Sequence, residues 1–87
     1  MYNILPDMNF AVYTKDGCPY CEKIKTVLEL TGSNFVVYNL GDQFDKKSFY
    51  NEFGEGSTFP QVVVDGNKLG GCIDTIKYLK ENRIIKE

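Results

Sequence analysis

Apolar and polar positions change their spacing several times along the chain, and each change marks an element. Phe10-Ala11-Val12-Tyr13-Thr14 is largely apolar and rich in β-formers, which predicts a buried strand. From Pro19 to about Thr31 the period becomes helical. Ile24, Val27 and Leu28 fall on one face, Glu22, Lys23, Lys25 and Glu29 fall mostly outside it, and Gly32 supplies a stop. Asn34-Phe35-Val36-Val37-Tyr38-Asn39-Leu40 predicts a second strand, apolar enough for burial on both faces. Asp45 to Phe53 predicts a short helix whose Phe49 and Phe53 pack into the core. A polar loop, Gly54 to Ser57, leads to a third strand, Gln61-Val62-Val63-Val64. Asp65-Gly66 is a hairpin signal, so Asn67-Lys68-Leu69 returns antiparallel until Gly70-Gly71. Asp74 to about Asn82 predicts the last helix, with Ile76 and Leu79 inward, and Met1 to Asn9 is a short lead-in broken by Pro6.

Strand, helix and strand within about 30 residues make a βαβ unit, whose strands run parallel with a right-handed crossover. The order βαβαββα predicts an α/β domain around a mixed four-stranded sheet, occupying residues 1–87 as one unit.

Composition narrows the function. A formal charge of −2, from ten basic and twelve acidic residues with no basic run, argues against nucleic acid as a partner. No apolar stretch approaches the ~20 residues that span a bilayer. The first residues lack the basic start and apolar run of a secretory signal. Three cysteines, an odd number, do not make a secreted disulfide framework. Reducing cytoplasm is therefore the expected compartment, with a catalytic dithiol rather than a structural disulfide. The chain has no histidine. That excludes Ser-His and Cys-His catalysis, so a thiol here must be activated by backbone dipoles, lysine or arginine.

The candidate chemistry sits in Lys15-Asp16-Gly17-Cys18-Pro19-Tyr20-Cys21, at the junction of the first strand and first helix. A Cys-x-x-Cys placed there puts its first thiol at a helix N-terminus, where unpaired N–H groups and the helix dipole favour an anion. Such cysteines titrate at roughly 3.5–7.5 rather than about 8.5. Pro19 suits the first helical position. Cys18 is then the exposed attacking thiol at the cap, and Cys21, one turn in, resolves. The competing reading, half of a zinc site, needs four Cys or His ligands, and one further cysteine cannot complete it. No metal is expected.

Cys18-Pro19-Tyr20-Cys21 resembles the dithiol glutaredoxins. Thr58-Phe59-Pro60-Gln61 is similar to their Thr-Val-Pro loop, and Gly70-Gly71-Cys72-Ile73-Asp74 to their Gly-Gly-Cys-x-Asp segment. Together the three cover about residues 10–82. The resemblance implies the thioredoxin fold and a glutathione-dependent reduction of protein disulfides and glutathione mixed disulfides. Glutathione would be a co-substrate, with no tightly bound cofactor. Read by its residues alone, Pro60 is a trans turn or edge proline; the resemblance implies a cis bond that leaves the Phe59 backbone open to an extended peptide. Phe59 departs from the family's usual Val. Asp74 reads as a helix N-cap. By resemblance Gly71, Cys72 and Asp74 hold the γ-glutamyl end of glutathione, Tyr20 and Thr58 border its groove, and Lys15 meets its glycine carboxylate. Gln43 and Lys46 are candidates for a second grip on that carboxylate. Expected partners are glutathione and disulfide-containing or glutathionylated proteins, and the chain is expected to act as a monomer. Two alternatives stand beside this reading. One is a hydrogen donor to ribonucleotide reductase, itself reduced by thioredoxin reductase. The other is a module holding an iron–sulfur cluster between two chains, against which Pro19 stiffens the site.

Overall fold

A computed structural model of the protein describes residues 8–82. The lead-in around Pro6 lies outside the described residues. Seven elements follow: β1 (Asn9–Thr14), α1 (Pro19–Leu30), β2 (Asn34–Asn39), α2 (Lys46–Phe53), β3 (Gln61–Val64), β4 (Asn67–Gly70) and α3 (Cys72–Glu81). They form one mixed sheet in the order β2-β1-β3-β4. β1 and β2 run parallel, with Phe10 opposite Phe35 and Thr14 opposite Asn39. β1 and β3 run antiparallel, with Val12 opposite Val62. This is the thioredoxin fold that the element order predicts.

The two faces of β1 separate the layers, because successive side chains point to opposite sides. Phe10, Val12 and Thr14 are buried on one side. There Phe10 and Val12 meet Ile24 and Leu28 of α1, Val62 and Val64 of β3, and Cys72 and Leu79 of α3. On the other side Tyr13 meets Phe53 of α2 at 5.0 Å between ring centroids, and Phe44 just before α2 at 5.3 Å. Phe49 is the buried centre of that aromatic layer. Burial, with the nearby Tyr38 and Glu52 adding to it, pushes the Tyr13 hydroxyl above its ordinary value.

Local signals set the ends of the elements. α1 closes in a Schellman turn: Gly32, at φ 71°, donates to the Glu29 carbonyl, and Ser33 donates to that of Leu28. Asp45 caps α2, its carboxylate accepting the Ser48 N–H at 2.8 Å. That bond holds the Asp45 carboxyl below its usual range. Asp65-Gly66 turns the hairpin with both residues at positive φ. Lys68 ties the hairpin to α2, with its ammonium 3.3 Å from the Glu52 carboxylate and over the Phe53 ring.

β2 corrects one expectation. It is an edge strand, with Val36 51% and Val37 37% exposed, and is not buried on both faces. Its valines suit a strand either way. Whether a helix covers them depends on where the sheet ends, and here β1, not β2, takes the covered central position.

Candidate active site

Cys18 caps α1. Its backbone is extended (φ −113°, ψ 101°), Pro19 follows as the first helical residue, and the Cys18 Sγ accepts the Cys21 N–H at 3.2 Å. Sulfur thus fills the place of an N-cap oxygen. The two cysteines are joined by a disulfide, their Cα atoms 5.2 Å apart. Once that bond is reduced, the same N–H and the helix dipole favour the Cys18 thiolate over the thiol. Cys18 is not exposed as expected: it is 8% exposed, against 0% for Cys21. Its bond to the buried Cys21 turns Sγ inward over the first helical turn. What access exists nevertheless belongs to Cys18, so an incoming sulfur meets Cys18 first.

The Phe59–Pro60 peptide is cis and Pro60 is buried. Gly71 lies beside it: a Cβ on Gly71 would sit 3.6 Å from the Pro60 carbonyl. Between these segments runs an open groove of about 200 Å³. Tyr20 borders it from α1, Thr58, Phe59 and Pro60 from the loop before β3, and Gly71, Cys72 and Asp74 from the start of α3. Three stretches far apart in sequence are therefore brought to one place. Ile73 also lines the groove, 72% exposed, and its sequence position carried no signal for that. Among the described residues, no hydrogen bond engages the Phe59 backbone N–H or carbonyl. Lys15 does not line the groove, nor do Cys18 and Cys21; the Lys15 ammonium instead stands over the ring of Phe59, which does line it, 5.5 Å from the centroid.

The start of α3 differs from expectation. Gly71 is the N-cap and Cys72 the first helical residue, so Asp74 stands in the first turn rather than at the cap. From there Asp74 Oδ2 reaches back to accept the Gly71 N–H at 3.3 Å, the return half of a capping box. A glycine N-cap offers no side-chain acceptor, so Asp74 and the buried Thr75, which donates to the Gly71 carbonyl at 2.8 Å, hold the helix start. Gly70 allows it: at φ 111° it takes a conformation that disfavours side chains, and a Cβ there would come 2.5 Å from Asp74 Oδ2. The Asp74 carboxylate is thereby placed at the groove edge.

Cys72 is buried at the base of the groove. Burial pushes its thiol up, while the Lys23 ammonium acts the other way. A raised pKa means less thiolate at neutral pH, and thiolate is the reactive form. In the reduced protein at pH 7, iodoacetamide should therefore modify Cys18 well before Cys72, with the rate at Cys72 climbing as pH rises. Cys72→Ser should leave turnover within severalfold of the parent, because its backbone N–H is kept. Mass mapping of the alkylated cysteines and initial rates check both, and a variant as inactive as Cys18→Ser would make Cys72 catalytic.

One supporting residue escaped the sequence reading. Asn39, at the end of β2, accepts from the buried Thr14 hydroxyl at 3.1 Å and donates to Asp16 Oδ1 at 3.3 Å. It ties the loop that carries Lys15 and Gly17 to the sheet. Only the parallel pairing of β1 and β2, which sets Thr14 opposite Asn39, brings these groups together. Gln43 is committed elsewhere: its Oε1 accepts the Asn39 N–H at 2.8 Å, ahead of α2. It faces a second cavity of about 490 Å³ between α2 and the sheet, lined chiefly by aromatic rings and by neither cysteine. Lys46 opens α2 and is exposed.

The chain is similar in sequence and fold to known proteins. The glutaredoxin family profile matches residues 10–69. Glutaredoxin 1 of Rickettsia prowazekii is 37% identical over 78 residues, covering 86% of this chain and 81% of its own length. Glutaredoxin 3 of Escherichia coli is 32% identical over 66 residues, covering 76% of this chain and 80% of its own. The solved structure of glutaredoxin 1 from Francisella tularensis, complexed with cacodylate, superposes with a TM-score of 0.73 at 28% identity, covering 91% of this chain and 99% of that one. A buckwheat glutaredoxin–glutathione complex shares the fold, with a TM-score of 0.71 at 22% identity over 86% of this chain and 71% of that one. The profile match over residues 10–69 and the 37% identity to the Rickettsia protein show that the chain belongs to the glutaredoxin family of oxidoreductases, with Cys18 and Cys21 as its redox pair.

Proposed function

We propose that the protein uses glutathione as the reductant of its exchange reactions and that the groove bordered by Tyr20, Phe59 and Asp74 is the glutathione site. The observation that carries this reading is the groove's combination of groups, which Tyr20 joins to the Cys18–Cys21 segment. The Phe59 backbone is unengaged, the α3 N-terminus offers N–H groups, and the Asp74 carboxylate sits at the edge. An extended γ-glutamyl peptide matches all three. Its cysteinyl backbone pairs with Phe59 as an added strand. Its α-carboxylate accepts from the start of α3, and its ammonium meets Asp74. Lys15 takes the glycine carboxylate, and Tyr20 and Thr58 flank the chain.

On a glutathionylated substrate, the Cys18 thiolate attacks the glutathionyl sulfur. The Cys18–glutathione disulfide forms, and the substrate leaves as its thiolate. A second glutathione thiolate then attacks that sulfur, releasing oxidised glutathione and restoring Cys18. With a protein disulfide, Cys18 attacks first and Cys21 displaces the substrate's second thiolate, closing the Cys18–Cys21 bond. Two glutathiones then reduce it. Each cycle moves two electrons from glutathione to substrate. We place this activity in the reducing cytoplasm, carried out by a monomer on disulfide-containing and glutathionylated proteins.

The test pairs a coupled assay with one substitution. Turnover with glutathione and glutathione reductase should far exceed turnover with thioredoxin reductase, and the reverse order would overturn the reading. Asp74→Asn keeps an acceptor for the Gly71 N–H, so melting should stay nearly unchanged. It removes a charge-assisted bond, so the KM for glutathione should rise about fivefold with a smaller change in kcat. An unchanged KM would reduce Asp74 to support for the helix start.

A further inference from the structure

The ring of Phe59 has two jobs in this structure, and only one concerns packing. It stacks on the buried Phe49 at 4.2 Å and 11°, and more distantly on Phe44 at 6.2 Å and 21°. A ring so closely stacked has one face occupied. The ammonium of Lys15, 5.5 Å from the centroid, takes the other. Lys15 makes no ion pair with an acidic residue among the described residues. Its charge is held by a ring quadrupole, an interaction that orients a cation without neutralising it. The ring is fixed from behind by a residue of α2 and borders the groove in front. An aliphatic residue at position 59 would offer no such face, and the lysine would sample its full set of rotamers.

We propose that Phe59 is a positioning residue for Lys15: its ring, which lines the groove, holds the ammonium against itself, unpaired and ready for a carboxylate of the incoming substrate. The aromatic layer under α2 thus becomes part of substrate recognition, through a ring that connects Phe49 to a charged group three residues before Cys18 in the chain. The proposal rests on the glutathione reading above, with Lys15 receiving the glycine carboxylate.

The experiment compares Phe59→Leu, which keeps apolar bulk but loses the ring face, with Phe59→Tyr, which keeps the face. Each is made with Lys15 present and with Lys15→Gln. Phe59→Leu should raise the KM for glutathione about two- to fivefold, the span of an exposed cation–π contact, with kcat within about twofold. Phe59→Tyr should restore the parental KM, and in the Lys15→Gln background Phe59→Leu should have no further effect. In the unsubstituted protein, NMR should show the Lys15 Cε protons shifted upfield by the ring. A Lys15 Cε signal at its random-coil position overturns the proposal whatever the variants do. So does a Phe59→Leu effect that persists undiminished without Lys15; if Lys15→Gln itself raises KM, the glutathione reading then stands while the positioning role falls. Should Lys15→Gln leave KM unchanged, the carboxylate role of Lys15 fails first and takes the proposal with it.

Discussion

Cys18→Ser is expected to abolish every exchange activity, whereas Cys21→Ser is expected to keep deglutathionylation and lose efficient reduction of protein disulfides. The asymmetry follows from the helix cap. Cys18 Sγ receives the Cys21 N–H at 3.2 Å and holds what exposure the pair has, while Cys21 is fully enclosed. A serine hydroxyl keeps the cap hydrogen bond but is not ionised near neutral pH, so the fold survives and the nucleophile does not. Replacing Cys21 leaves its backbone N–H in place, so activation of Cys18 is kept and only the resolving step is lost. Two assays on one preparation check this: release of glutathione from a glutathionylated peptide, and reduction of a protein disulfide. Equal loss of both in Cys21→Ser would contradict the division of roles.

The largest loss of stability is expected at Phe49→Ala. Its ring is almost fully buried and lies 4.2 Å from Phe59, 5.0 Å from Phe53 and 5.7 Å from Phe44. Truncating such a side chain costs about 3–5 kcal/mol, transfer and cavity together. Domains of this size hold roughly 5–15 kcal/mol in all, so melting should fall by about 15 °C or more. Urea denaturation followed by circular dichroism measures it, and a loss below about 1 kcal/mol would mean that the α2 layer is not packed. The variant also removes the backing of Phe59, so glutathione use should weaken in whatever fraction remains folded.

Most of the fold was legible along the chain because its signals are local. The 3.6-residue period of Ile24, Val27 and Leu28, the Gly32 stop and the Asp65-Gly66 turn each act over a few residues, and the observed elements follow them closely. The dithiol at the start of α1 was legible for the same reason, since cap preference and proline at the first helical position belong to the segment itself. The start of α3 was less so. Asp74 is a good cap residue by type, but glycine at 71 took the cap and left Asp74 to reach back.

The sequence by itself determined the order and kind of the elements, the family, and the position of the reactive thiols, because periodicity, caps and motif spacing are written over neighbouring residues. Tertiary structure alone decided which strand would lie at the sheet edge and therefore leave Val36 and Val37 in solvent. It also decided that Asn39 would hold Asp16 and that the ring of Phe59 would hold Lys15. These pairings join residues more than 20 positions apart, and no local preference selects among the partners a long chain could bring together. Sheet order and the packing of α2 against β1 select them, by deciding which side chains share a face and come within reach of one another.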